Sequence, residues 1–392
     1  MMENDNKWAA VKKLLGYILV AAAASAVTFF LCLGQNVAGQ SKLEQLEGLL
    51  EERFIGETDK VQIENAAADA MVNALGDRWS YYMSAEEYTD YLEQMNNAYV
   101  GIGVTITVQQ DGTGFLINKV EPGSAAQEAG LQAGDVITAV EGKPAAELGT
   151  SGARDLIRGK EGTQVKITVL RDGKSTEYTL TRKTIQVVVA AGKMLENNIG
   201  LVTIQNFDSR CAEETIAAIE ALRKQGAKAL IFDVRNNPGG YKDELVKILD
   251  YLLPEGDLFR SQDYTGRESV DTSDSSCLKM PMAVLVNGDS YSAAEFFAAA
   301  LSEYDWATVV GEKTCGKGYF QQTYRLKDGS AVALSVGKYF TPKGVSLAEV
   351  GGLSPDITVE VDAEIAAKIY AETIEPMDDP QILAAMESLQ GK

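Results

Sequence analysis

The chain has 392 residues, 45% of them apolar, a formal net charge of −20 and no histidine. That length accommodates two or three domains with sizeable cores, and the charge argues against nucleic acid, whose phosphates need clustered Lys and Arg. Lack of histidine excludes Ser-His-Asp and Cys-His hydrolases, HExxH zinc sites and any His-ligated metal. A hydrolase built on this chain must take its general base from Lys, Asp, Glu or an amine terminus.

Leu14 to Gly34 is a run of 21 residues without a charge, preceded by Lys7, Lys12 and Lys13. It is long enough to span a bilayer, and the flanking lysines keep residues 1–13 cytoplasmic and send the remainder outward. A cleaved signal peptide is the competing reading. The long apolar run and the lack of an A-x-A site favour an uncleaved single-pass anchor in the cell membrane, with the bulk of the chain extracytoplasmic.

Residues 41–97 read as helical, from the spacing in KLEQLEGLLEERF and AAADAMVNALGDRWSYYM, with Gly76-Asp77 as a break. A unit of different texture follows at 98–184. VTITV and FLINKV flank Asp111-Gly112, and VKITVL and TEYTLTR flank Asp172-Gly173, so both pairs read as hairpins. Between them lie SAAQEAGL as a helix, DVITAV as a strand and ARDLIR as a second helix. From 185 to 360 the pattern is α/β: IGLVTIQNF, KALIFDV, MAVLVN and ATVVG are strands, alternating with the helices AEETIAAIEALRKQG, DELVKILDYLL and AEFFAAALSEY. A further hairpin turns at Asp328-Gly329, and 361–392 is again helical. Of the four cysteines, Cys32 sits in the apolar run, and the other three give no CxxC pair, so unpaired thiols are expected.

GEKTCGK (311–317) imitates the start of a phosphate-binding loop, but Gly318 stands where the Mg²⁺-binding hydroxyl is required. GDSYS (288–292) is one glycine short of a nucleophile elbow. SxxK at Ser276–Lys279 and Ser335–Lys338 lacks a KTG partner. Three segments at strand ends remain. DVRNNPGG (233–240) has glycines that let backbone N–H groups approach a ligand. NGDSYSAAEFF (287–297) puts Ser292 at a helix start, where negative charge is favoured. GEKTCGKGYFQ (311–321) carries Lys317 and Gln321.

These three segments resemble the signature segments of the carboxyl-terminal processing (tail-specific) proteases, peptidase family S41. The resemblance runs over nearly the whole chain beyond the anchor, including GGLSPDITVE and DDPQILAAM. It implies Ser292 as nucleophile, Lys317 as general base and Gln321 as the group orienting the lysine. Backbone N–H groups of Ala293 and of Gly239 or Gly240 would form the oxyanion hole. The implied fold is a crotonase-like α/β protease core with an inserted PDZ-like β-rich domain, helical flanking segments and one N-terminal transmembrane helix. Ala294, Tyr291 and Cys315 depart from the family's usual residues. Physical chemistry asks that the lysine be neutral, which burial promotes and nearby Glu295 or Glu312 would oppose.

The unit at 98–184 resembles a PDZ domain. YVGIGV matches the loop that captures a terminal carboxylate, through the N–H groups around Gly101, Ile102 and Gly103. Arg158 is a candidate contact between that domain and the protease core; a surface helix-end arginine is the plain alternative. The expected partners are proteins bound by their carboxyl ends and, from the apolar periodicity of 41–97 and 361–392, a second copy of the chain. Neither residues nor resemblance implies a metal or other cofactor. Two rival functions are a catalytically silent PDZ scaffold and a carrier of small apolar ligands on the same fold.

Overall fold

The computed structural model describes residues 18, 20–22, 24–25, 41–109 and 112–390. The expected tail at 1–13, most of the expected anchor at 14–34 and Cys32 lie outside the described residues. Among the described residues no helix is long and apolar enough to cross a membrane. The chain divides into two compact units, residues 1–71 and 72–392.

The first unit holds α1 (Lys42–Arg53) and most of α2 (Lys60–Asn73). Ser41 and Glu44 form a reciprocal capping box that satisfies backbone donors at the start of α1. Lys60 pairs with Glu47 at 2.7 Å. The apolar stripe Leu43, Leu46 and Leu49 on α1 is exposed.

In the second unit the expected helical stretch is interrupted. β1 (Tyr81–Met83) precedes α3 (Ala85–Met95) and pairs with a distant strand of the core, Tyr81 opposite Ala333. YYM has β-forming side chains, but three residues are too short for a period-2 signal to show.

The β-rich unit follows the expected hairpins. β2 (Ala98–Gly101), β3 (Val104–Val108), β4 (Phe115–Val120), α4 (Ala125–Glu128), β5 (Val136–Val140), β6 (Lys143–Pro144), α5 (Ala145–Ile157), β7 (Gln164–Arg171) and β8 (Lys174–Thr181) come in that order. They form a sheet ordered β3-β4-β5-β7-β8, with β6 on β5, over a core that includes Phe115, Ile117, Ile137 and Ile167. β2 stands apart and pairs with β9 (Lys183–Gln186), Gly101 opposite Lys183, which closes the neck of the unit.

The core that follows comprises β10 (Ala190–Met194), β11 (Ile199–Ile204), α6 (Cys211–Lys224), β12 (Ala229–Asp233), α7 (Lys242–Leu252), β13 (Gly256–Asp263), β14 (Glu268–Ser273), β15 (Met282–Val286), α8 (Ala293–Glu303), β16 (Ala307–Gly311), β17 (Tyr319–Arg325) and β18 (Ala331–Phe340). α9 (Leu347–Val350), β19 (Ile357–Thr358), α10 (Ala363–Tyr370) and α11 (Pro380–Ser388) complete the chain. The central sheet is ordered β10-β11-β12-β15-β16-β19, parallel from β11 onward. Its strands are continuous apolar runs because both faces are covered. Leu230 and Phe232 face a core shared with α6, α7 and α8, whereas Ile231, Ala283 and Leu285 face Ile382, Ala385 and Met386 of α11.

The apolar periodicity near the carboxyl end, one motive for expecting self-association, is therefore used within the chain by α11. The antiparallel sheet β1-β18-β13-β14, with β17 on β18, forms the second wall of the core. The β13–β14 hairpin was not read from the sequence, because RSQDYTGRESVDTS alternates weakly between polar types. The described cysteines, Cys211, Cys277 and Cys315, are all unpaired.

Candidate active site

Parallel pairing decides what comes together. Asp233 lies opposite Leu285, and Val286 opposite Gly311, so the segments leaving β12, β15 and β16 emerge side by side at the carboxyl edge of one sheet. Side chains then lock them. Asn236 N–H donates to Asn287 Oδ1 at 3.0 Å, and Asn287 Nδ2 returns a bond to Asn236 Oδ1 at 2.8 Å. Ser290 Oγ donates to the Val234 carbonyl at 2.8 Å, and Tyr291 N–H to the Asn237 carbonyl at 3.0 Å.

Ser292 is the residue before α8, with φ 50° and ψ −118°. A non-glycine residue there is strained, and the surroundings must over-determine it. Gly239 supplies part of that constraint: it has φ 92°, and an added Cβ would fall 2.9 Å from Ser292 Cβ and 3.0 Å from Ala293 N. Only a residue without a side chain lets the 238–240 turn lie against the serine. Gly239 N–H is taken by Asn237 Oδ1 at 2.9 Å. Among the described residues no hydrogen-bond partner accepts from the N–H of Gly240 or Ala293. Of the two expected oxyanion arrangements, Ala293 with Gly239 or with Gly240, the one using Gly240 keeps both donors free.

Glu295 is fully buried in the first turn of α8, and its carboxylate gathers the site. Oε2 accepts from Ser292 N–H and from Lys317 N–H, each at 2.9 Å, and Oε1 accepts from Thr314 Oγ1 at 2.5 Å and Gly316 N–H at 2.7 Å. Burial raises its pKa above the usual carboxylate range, against the pull of those four donors. The two loops that carry Ser292 and Lys317 are thus fastened through one carboxylate.

Lys317 is held well inside the cleft, its Nζ 4.8 Å from the centre of the Trp79 ring. Burial lowers its pKa; Cys315, Glu295 and Asp77 oppose the shift, and Arg78 adds to it. Glu312, the other suspected carboxylate, turns away and accepts from Val361 N–H at 3.3 Å. Ser292, Lys317 and Gln321 line one cavity of about 500 Å³ with Tyr81, Tyr88, Tyr91, Asp208, Gly239 and Gly240. No hydrogen bond joins Ser292 to Lys317. Gln321 does not reach the lysine either: its Nε2 donates to the Tyr319 carbonyl at 3.2 Å and to Ser335 Oγ at 3.1 Å.

Sequence reasoning missed Trp79 and the tyrosine wall because DRWSYYM was absorbed into a helix. It also missed Arg235, whose buried guanidinium pairs with Asp233 at 2.6 Å and Asp379 at 2.8 Å and ties the end of β12 to the start of α11. The matched pair DVR and DDPQ was the available signal.

The second site lies in the β-rich unit. Gly101, Ile102, Gly103, Val104, Arg154 and Arg158 line a groove of about 310 Å³ between edge strand β3 and α5. Among the described residues the N–H groups of Ile102 and Gly103 have no acceptor. Arg158 Nη1 reaches Glu93 Oε2 at 2.8 Å, and its guanidinium lies 5.2 Å from the centre of the Tyr99 ring. Glu93 belongs to α3, whose Tyr88, Tyr91 and Leu92 line the catalytic cavity. Arg158 therefore links the β-rich unit to α3, in the stretch 41–97 that precedes it, and among the described residues its partners do not include a residue of the core at 185–360.

A serine set at a helix start, in a cleft with a buried lysine and two free backbone donors, is the equipment of a serine hydrolase. Comparison with known proteins agrees. Residues 198–359 match the model of peptidase family S41, and residues 116–171 match a PDZ domain. The carboxy-terminal processing protease CtpA of Bacillus subtilis (strain 168) is 32% identical over 357 residues, covering 88% of this chain and 76% of that protein. Among solved structures, the photosystem II D1 C-terminal processing protease is 28% identical with a TM-score of 0.47, covering 82% of this chain and 87% of that one. A Bacteroides fragilis NCTC 9343 protein, named provisionally as an S41 protease, has a TM-score of 0.53 at 17% identity, over 88% and 97% of the two chains. This chain belongs to peptidase family S41: it is a C-terminal processing serine protease with a PDZ domain.

Proposed function

We propose that the chain is a membrane-anchored endopeptidase whose catalytic part works outside the cytoplasm, cutting proteins that its PDZ domain selects by their free carboxyl ends. The observation that carries the catalytic reading is the strained Ser292 held against Gly239, in one cleft with a lysine whose burial favours the neutral amine. Neutral Lys317 takes the proton of Ser292 Oγ as that oxygen bonds to the scissile carbonyl carbon. The N–H groups of Ala293 and Gly240 receive the oxyanion. On collapse the carbon–nitrogen bond breaks, and the leaving amine takes the proton from the Lys317 ammonium. Lysine then accepts a proton from water as the water oxygen bonds to the acyl carbon; on collapse the carbon–Oγ bond breaks, the Lys317 ammonium returns the proton to Ser292 Oγ, and the new carboxyl end leaves. A substrate filling the cleft draws Ser292 and Lys317 into contact, since catalytic hydrogen bonds tighten in the complex. The same filling brings Gln321 to the lysine. The crotonase-like spiral is the scaffold proposed for this core.

Serine-directed phosphonate should label Ser292, and the carboxyl-terminal proteome of secreted proteins should differ between wild type and Ser292→Ala. Unlabelled protein with unchanged termini would leave the silent scaffold standing. Peptides ending in a free acid should be cut faster than their amides, because the donors of Ile102 and Gly103 favour a carboxylate. For topology, external protease on intact cells should digest the region beyond residue 34; full protection would defeat the anchor orientation. The exposed leucines of α1 are the surface proposed for a homodimer, to be tested by light scattering of full-length protein against a variant carrying Leu46→Lys and Leu49→Lys.

A further inference from the structure

The cleft contains a carboxyl group that the peptidase mechanism does not use. Asp208 lies in the turn from β11 into α6, is 4% exposed and lines the same cavity as Ser292. Its backbone is fixed: Asp208 N–H donates to Asn206 Oδ1 at 3.0 Å, and its carbonyl accepts from Cys211 N–H at 3.1 Å. Its side chain is not. Among the described residues, Asp208 Oδ1 is the one fully buried side-chain oxygen with neither a hydrogen bond nor an ion pair. The nearest cation in sequence, Arg210, is engaged with Glu214 and with the carbonyls of Asn96, Asn97 and Val187. Lys317 takes its charge interactions from Cys315, Glu295, Asp77 and Arg78.

An unpaired carboxylate held away from water is destabilising unless something supplies the missing partner. Its position says where that partner enters. A Cβ added at Gly240 would fall 2.6 Å from Asp208 Oδ1, so the carboxyl lies directly behind the turn that offers the oxyanion donors. Tyr91 and Tyr241 stand beside it in the same cavity. A carboxylate at the end of an aromatic-walled space suits a long aliphatic stem ending in a cation, which packs its methylenes on the rings and delivers charge at the tip. Resting on the peptidase reading above, we propose that Asp208 forms a substrate subsite for a basic side chain next to the scissile bond, with the lysine or arginine head pairing with its carboxylate. The chain's net charge of −20 further favours the approach of basic segments.

The subsite carries its own pH signature. Burial pushes the Asp208 carboxyl up to about 7. The titratable groups facing it are Tyr91 of α3, Tyr241 ahead of α7 and Cys211 at the start of α6, all neutral in that range. Below about 7 the carboxyl is protonated and loses its hold on a cation; above it the pair forms. The test uses full-length enzyme and paired peptides in which lysine or its uncharged analogue norleucine occupies each position flanking the scissile bond, with products read by mass spectrometry. Titration of Lys317 is common to both peptides and cancels in the ratio of kcat/KM. At one position the lysine:norleucine ratio should be on the order of 10- to 100-fold above pH 8, the range for a hydrogen bond to a charged group, and should fall as pH drops through about 7. Asp208→Asn should bring the ratio towards one at every pH. A wild-type ratio flat in pH, or a ratio unchanged by Asp208→Asn, overturns the proposal, and if the variant does not fold the wild-type profile decides alone. Cleavage of neither peptide removes the peptidase reading and this subsite with it.

Discussion

Replacing Glu295 by glutamine tests whether one carboxylate sets the geometry of both catalytic loops. The side chain is fully buried, and each oxygen takes two donors. An amide has one accepting oxygen. It must face Ser292 N–H and Lys317 N–H, because both are fixed backbone donors. The NH₂ then faces Thr314 Oγ1, which can rotate to accept, and Gly316 N–H, which cannot. One orphaned backbone donor costs about 1–3 kcal/mol, and two further bonds lose charge assistance at about 0.5–1 kcal/mol each. The expected loss is about 2–5 kcal/mol, a large share of the roughly 5–15 kcal/mol that holds a domain together. Urea unfolding at neutral pH should show a lowered midpoint with unchanged slope.

A second readout separates positioning from mere stability. The Glu295 charge raises the pKa of Lys317, so its removal should move the acid limb of the kcat/KM profile to lower pH, even as the maximum falls. A loss of unfolding free energy below about 0.5 kcal/mol together with an unmoved acid limb would refute the staple.

Lys317→Arg should fold but lose ~10³-fold or more in kcat, since guanidinium stays protonated; substantial residual activity would put the base elsewhere. Lys317→Met should be inactive yet more stable than wild type at neutral pH. The folded lysine has a depressed pKa, so its penalty is complete below that value and vanishes above the unfolded value of about 10.4; a stability gap that grows with pH contradicts the burial argument. Gly239→Ala forces a Cβ against Ser292 and should reduce kcat on the order of 10²-fold, as expected for a misplaced nucleophile; an active variant would mean the turn does not bear on the serine. Arg235→Met leaves Asp233 and Asp379 without their buried cation and should destabilise by about 3–5 kcal/mol in thermal unfolding.

Much of this protein was written locally. The alternation of VTITV and FLINKV about Asp111-Gly112 specifies a hairpin whatever surrounds it, and the uninterrupted apolar runs KALIFDV and MAVLVN specify strands covered on both faces. Because parallel strands send their following loops to one edge, the placement of Ser292 and Lys317 in one cleft was legible once the α/β alternation was read. Other features depended on contacts between residues far apart in the chain, which no local pattern encodes. Tyr81–Met83 became a strand only because β18 was there to pair with it, and Trp79 came to stand over Lys317 for the same reason. Glu295 and Glu312 look alike as neighbours of Ser292 and Lys317 in the sequence. Only the tertiary structure decided between them, burying one under four donors at the catalytic loops and turning the other to Val361. The apolar face of α11 was equally ambiguous, since helical periodicity states that a face must be covered but not by what; packing against Ile231 and Leu285 supplied the answer.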